Sequence, residues 1–102
     1  MGNMLKSARK ADVVITNPTR YAVAIRYDKK SRGAPVVVAK GERVMAEKIR
    51  EIAKEEGIPV MRNVSLAQAL MKVEVEDIIP EDLYEAVAEV LNWVYRMRKE
   101  GK

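Results

Sequence analysis

Hydrophobic positions along this chain switch between a strand period and a helix period. ADVVIT (11–16) and RYAVAIRYD (20–28) are rich in β-branched and aromatic residues and are separated by Asn-Pro-Thr, a turn signal, so they predict two strands. In the second, Tyr21, Val23, Ile25 and Tyr27 alternate with Ala22, Ala24 and Arg26. One face is therefore bulky, and the other is small enough for a helix to pack closely. DKKSRGA (28–34) reads as a polar loop. PVVVAK (35–40) is a continuous apolar run of the kind covered on both faces, which predicts a central strand.

Helical spacing follows. Gly41-Glu42 opens a pattern with Met45, Ile49, Ile52 and Ala53 at i, i+4, i+7 and i+8, and Gly57 stands in the expected position past its end. IPVM (58–61) predicts the next strand, with Ile58 and Val60 on one face and Pro59 and Met61 on the other. Strand, helix and strand here make a βαβ unit. Ser65-Leu66-Ala67-Gln68 matches a capping box, with Leu66, Leu70 and Val73 lining a short helix. Pro80 at a first helical position, Glu81 and Asp82 behind it, and Arg96, Arg98 and Lys99 at the far end suit a helix dipole; Leu83, Val87, Val90, Leu91 and Val94 form its apolar stripe. The predicted fold class is a small α/β sandwich, a mixed sheet of about four strands with helices packed around it.

Composition narrows the function. At 102 residues the chain makes one domain, and with 48% hydrophobic and 33% charged residues it is neither disordered nor poorly solvated. The absence of Cys and His removes the serine, cysteine and zinc hydrolase constellations that need a thiolate or an imidazole. No run approaches the roughly 18 to 20 apolar residues of a membrane-spanning helix, which predicts a soluble domain. The net charge of +4 admits an acidic partner, a membrane surface or a nucleic acid. Many of the basic residues, Lys6, Arg9, Lys10, Arg96, Arg98, Lys99 and Lys102, sit at the two ends, the pattern of solvated termini.

Asn17-Pro18 is the chemically distinctive bond. Ordinary asparagine cyclisation uses the backbone nitrogen of the next residue, and proline has no N–H. The side-chain amide nitrogen of Asn17 can instead attack the carbonyl of Asn17 itself, closing a succinimide and expelling Pro18 as a new amino terminus. In a tight turn this attack is intramolecular, and a donor at the carbonyl oxygen would stabilise the tetrahedral intermediate. The chemistry needs no metal and no cofactor. Taken alone, Asn-Pro-Thr is also a common type I turn, with Asn first and Pro second.

The context carries more. ADVVITNPTRYAVAIRYD, APVVVAKG, EKIREIAKEEGIPVMRNVSLAQAL and IPEDLYEAVAEVLNWVY, in that order, resemble the cytoplasmic domain of the FlhB/YscU family, the switch proteins of flagellar and virulence type III secretion. The tail resembles the flagellar branch more than the virulence branch. The resemblance implies a domain on the cytoplasmic face of the bacterial inner membrane, reached through an N-terminal membrane portion. Residues 1–10 would be the end of the linker and 11–102 the self-cleaving switch domain. It implies cleavage between Asn and Pro, after which the pieces stay together and the export apparatus changes substrate class from rod and hook to filament subunits. The implied partners are the export gate cytoplasmic domain, a hook-length ruler protein and the export substrates. By position Asn17 is the nucleophile, Pro18 the leaving amine and Thr19 a shaper of the turn. The family's His is Arg20 here, which has no lone pair with which to act as a base, so cleavage is expected to persist at a reduced or altered rate. Such a protein cuts itself once and is not a turnover enzyme.

Other patterns carry less. Lys40-Gly41-Glu42 lacks the glycines and Lys-Ser/Thr pair of a phosphate loop and is assigned to capping the following helix. Glu74, Glu76, Asp77, Glu81 and Asp82 read as a solvated loop plus a first helical turn. Trp93 and Tyr95 form either a partner surface or packing against the sheet. The alternative function is a small basic nucleic-acid-binding α/β module, which the lack of an RNP-type aromatic pair or a GXXG loop disfavours.

Overall fold

The computed structural model describes residues 2–27 and 33–100, so most of the loop predicted at 28–34 lies outside the described residues, as does Lys102. The chain forms α1 (Gly2–Ala8), β1 (Val13–Asn17), β2 (Tyr21–Tyr27), β3 (Pro35–Glu42), α2 (Val44–Glu56), β4 (Val60–Arg62), α3 (Val64–Leu70), a 3-10 turn (Glu81–Leu83) and α4 (Tyr84–Glu100). One mixed sheet has the order β3-β2-β1-β4. β1 is antiparallel to β2 and parallel to β4, and β2 is antiparallel to β3. β3 and β4 therefore run the same way, and α2 carries the βαβ crossover past two intervening strands from one sheet edge to the other.

Strand alternation divides the interior into two cores. Val13, Ile15, Val23, Ile25 and Val37 face α3 and α4, where Leu66, Leu70, Val87, Val90, Leu91 and Val94 meet them. Val14, Ala22, Ala24, Val38 and Ala39 face α2 and α1. The small alanines of β2 let α2 lie close through Ala46, Ile49 and Ala53, as the alternation predicts. Each fully buried Val, Ile or Leu contributes about 1.5–3 kcal/mol relative to leaving it exposed.

PVVVAK is not a central strand. β3 is an edge strand, and its unbroken hydrophobicity has two local causes. A bulge makes the register jump from Ala24↔Ala39 to Ile25↔Val37, leaving Val38 as the extra residue, so Val38 and Ala39 both turn toward α2. The outer edge is also covered: Val37 N–H donates to Asp77 O (3.1 Å), Glu76 N–H to Val37 O (2.7 Å) and Ile79 N–H to Pro35 O (2.9 Å). Part of the carboxylate series is thus the segment that closes an open sheet edge.

Element boundaries differ from the sequence expectation where polar residues compete for one role. Gly41 and Glu42 finish β3 instead of opening α2, and Lys40 donates its ammonium to Met71 O (2.8 Å) past the end of α3, not to a cap of α2. The cap of α3 is Asn63, whose side chain accepts Leu66 N–H, while Ser65 only donates to Asn63 Oδ1. Pro80 is extended and precedes a 3-10 turn, with α4 starting at Tyr84. Ile58 lies just before β4 and is buried in the second core; Val60, in register with Val14 of that core, points to the same face but sits at the sheet edge and is 43% exposed, while Met61 packs on the opposite face, as the alternation predicts. α1 packs Met4, Leu5 and Ala8 into the second core, and Arg9 reaches Glu55 (3.0 Å) and Glu56 (2.8 Å) at the end of α2. Those two carboxylates raise the Arg9 pKa further above its ordinary value.

Gly41 marks the closest approach of β3 and α2. A Cβ there would lie 2.6 Å from Met45 Cβ and 3.2 Å from the Met45 backbone carbon. Gly41→Ala is expected to destabilise the domain by about 1–3 kcal/mol through overpacking. A thermal melt unchanged by this substitution would show that the helix can shift to admit a methyl group.

Candidate functional site at the Asn17-Pro18 turn

The turn is built by the sheet on either side of it. Val13, Val14 and Ile15 are buried, and β1 pairs with β2 up to Asn17↔Tyr21, so the chain leaves the sheet at Asn17 and re-enters it at Tyr21. Asn17 O accepts the N–H of Arg20 at 2.9 Å, which closes a four-residue turn over Pro18 and Thr19. Neither Pro18 nor Thr19 has a positive φ, which makes the turn type I, as the Asn-Pro order predicts. Pro18, Thr19 and Arg20 are exposed, while Asn17 is half-buried. The structure therefore brings all four candidate residues together.

Two further bonds fix the flanks. Asn63 N–H donates to Thr16 O (2.9 Å) from the β4 side, and Arg43 N–H donates to Arg20 O (2.9 Å) from the end of β3. Asn63 and Arg43 escape sequence reasoning because their contribution is made by the main chain, which leaves no side-chain signature. The Arg20 guanidinium lies 5.6 Å from the centre of the Tyr21 ring, the spacing of a cation–π contact. Among the described residues, no hydrogen bond engages the Asn17 side-chain amide.

Chemically, the Asn17 carbonyl oxygen already has a donor in hydrogen-bonding distance, and that donor is a main-chain N–H, indifferent to the side chain at position 20. Cyclisation at Asn17 builds negative charge on this oxygen, where such a donor stabilises the intermediate. No group of three or more carboxylates that could hold a metal occurs among the described residues.

Trp93 and Tyr95 point to different places. Trp93 is partly buried beside Met61 and Asn63, whereas Tyr95 is 40% exposed and lines an apolar groove of about 490 Å³ with Tyr27, Pro35, Ile78, Tyr84 and Leu91. Burial and the Asp12 carboxylate push the Tyr95 phenol above its ordinary pKa. Among the described basic residues, Arg9 pairs with the end of α2 and Arg98 lies 3.8 Å from Asp12.

Fold and turn define a small α/β domain with an exposed Asn-Pro hairpin, and known proteins share this fold. A family model described as the FlhB HrpN YscU SpaS family matches residues 1–94. The chain belongs to this family of protein-export components. It is 44% identical over 100 residues to the flagellar biosynthetic protein FlhB of Bacillus subtilis (strain 168), covering 97% of this chain and 28% of that protein. It is 45% identical over 96 residues to the hypersensitivity response secretion protein HrcU of Ralstonia nicotianae, covering 94% of this chain and 27% of that protein. The chain thus spans little more than a quarter of the length of these relatives. The crystal structure of the cytoplasmic domain of FlhB from Shewanella putrefaciens superposes with a TM-score of 0.92 at 40% identity, covering 96% of this chain and 76% of that one.

Asn63 joins the turn to α3, so it is expected to matter for stability. Asn63→Ala should cost about 0.5–2 kcal/mol by loss of the cap, read from the urea midpoint. A midpoint equal to that of the unaltered chain would mean that the main-chain bond to Thr16 alone holds this junction.

Proposed function

We propose that this chain is the cytoplasmic domain of a bacterial protein-export component that controls the change of export substrate class, and that it reaches the switched state by cutting itself once between Asn17 and Pro18. The observation that carries this reading is the 2.9 Å bond from Arg20 N–H to Asn17 O in a protein of this family. Asn17 Nδ2 attacks the Asn17 carbonyl carbon, and the C=O electron pair moves onto the oxygen that Arg20 N–H faces. On collapse the bond to Pro18 nitrogen breaks. Its electron pair stays on that nitrogen, which takes up the proton shed by Nδ2. A succinimide at residue 17 and a free Pro18 amine result, with no water, metal or cofactor consumed. The act happens once per molecule and is not turnover catalysis.

The cut is compatible with a cohesive product. β1 is paired on both sides and anchored by Val13, Val14 and Ile15, each contributing about 1.5–3 kcal/mol by burial. What changes is the turn, which loses its closed path and gains two new termini. In this reading the remodelled turn alters how the apparatus treats its partners, the export gate, a hook-length ruler and the rod, hook and filament subunits. The apolar groove around Tyr95 offers an interaction surface away from the cut. Residues 1–10 lead from a membrane portion at the cytoplasmic face of the inner membrane, and α1 ties that linker to α2.

Intact-mass spectrometry of freshly denatured protein is expected to give two species that meet between Asn17 and Pro18. Asn17→Ala should give one intact mass and Arg20→Ala should still give two. An unaltered chain that stays whole for days at neutral and alkaline pH would overturn the reading. With no imidazole in the sequence, the rate should show no inflection near pH 6.5, and Arg20→His should introduce one, since histidine titrates at about 6.5. The sign is fixed by the base: the rate of that variant rises as pH climbs through the imidazole pKa and its lone pair becomes free.

A further inference from the structure

Resting on the self-cleavage reading, we propose that Arg43 is a positioning residue for the cut, acting through its main-chain N–H on Arg20. Arg20 stands at the centre of a relay of two main-chain bonds. Its N–H donates to the Asn17 oxygen at the bond that breaks, and its own carbonyl accepts the N–H of Arg43, each at 2.9 Å. Exposed turn residues such as Arg20 have little packing to hold them. The bond from Arg43 holds the carbonyl side of this residue, next to Tyr21 in the sheet, and so limits the direction in which its N–H points.

Arg43 makes the bond at a conformational cost. Its φ of 53° and ψ of −113° lie where residues with a side chain are rarely found, and its side chain forms no cap for α2. Such strain persists only where the surroundings over-determine it, and an observed outlier beside a reactive bond motivates a functional reading. Here the surroundings are visible. Glu42 is still paired with Tyr21 in the sheet, and Arg43 O accepts Glu47 N–H (3.0 Å) to begin α2. Between those two ties the chain must reverse within one residue, and the reversal turns the N–H toward Arg20. One strained residue thus ends β3, starts α2 and steadies the donor on the reacting oxygen.

The test uses the full chain made by chemical ligation with a mirror-image residue at 43, where positive φ is natural. Arg43→D-alanine keeps the N–H and relieves the strain; Arg43→D-proline relieves it equally and deletes the N–H. The cleavage rate by intact mass should stay within about twofold for D-alanine and fall at least about fivefold for D-proline, because a misdirected oxyanion donor loses transition-state stabilisation. Hydrogen exchange at the Arg20 amide should quicken in the D-proline chain while the other amides of β1 and β2 keep their protection. Equal rates and equal Arg20 protection in the two chains would overturn the proposal, and so would loss of protection throughout β1 and β2, which marks a merely structural role. If the unaltered chain never cuts itself, the self-cleavage reading fails, and the positioning claim is then decided by the Arg20 amide alone.

Discussion

The pairing of β1 on both sides is the constraint from which the rest of this structure follows. β1 lies between an antiparallel and a parallel neighbour, with its first three residues buried between two helical layers. That placement ends the strand at Asn17 in one register only, because a slip of one residue would exchange the faces of Val13 and Ile15 with that of Val14. The turn that follows inherits its geometry from the sheet, and the chemistry available to Asn17 depends on it.

Two main-chain bonds from distant segments reinforce the same point. Asn63 arrives from the start of α3 and Arg43 from the start of α2, and they grip Thr16 and Arg20 on either side of the Asn17-Pro18 bond. The helices that cover the two faces are thereby joined to the turn at their N-terminal ends. A small domain with few residues to spare uses the same residues to begin helices and to shape the Asn-Pro turn.

Much of this was legible in the sequence, because period and chemistry agreed. The alternation in β2 gave the two faces, Val87, Val90, Leu91 and Val94 gave the buried stripe of α4, and Asn-Pro gave the turn. The misreadings share a cause, namely that a local pattern has more than one physical origin. PVVVAK is apolar throughout because of a bulge and a covering segment that pairs with it across 35 residues or more of chain, which no local window contains. Ser65 and Asn63 are both good caps, and only the place where β4 ends decides between them. Arg43 gives no hint of a positive φ, since a glycine is the usual marker and the strain is imposed by what lies on either side. The docking of α1 depends on Glu55 and Glu56, far along the chain from Arg9.

Both outer edges of the sheet are unsuited to recruiting a strand from elsewhere. The first residues of β3, Pro35–Val37, are occupied by the chain around Ile78, and β4 offers only three residues. The flanks of β2 and β4 that face β1 would become templates only if β1 left its place. Self-association by edge pairing is therefore held in check by the same strand that ends in Asn17. A severed chain that remains seated keeps its neighbours from finding one another, whereas one that lost β1 would expose two bare strand flanks and become prone to aggregate.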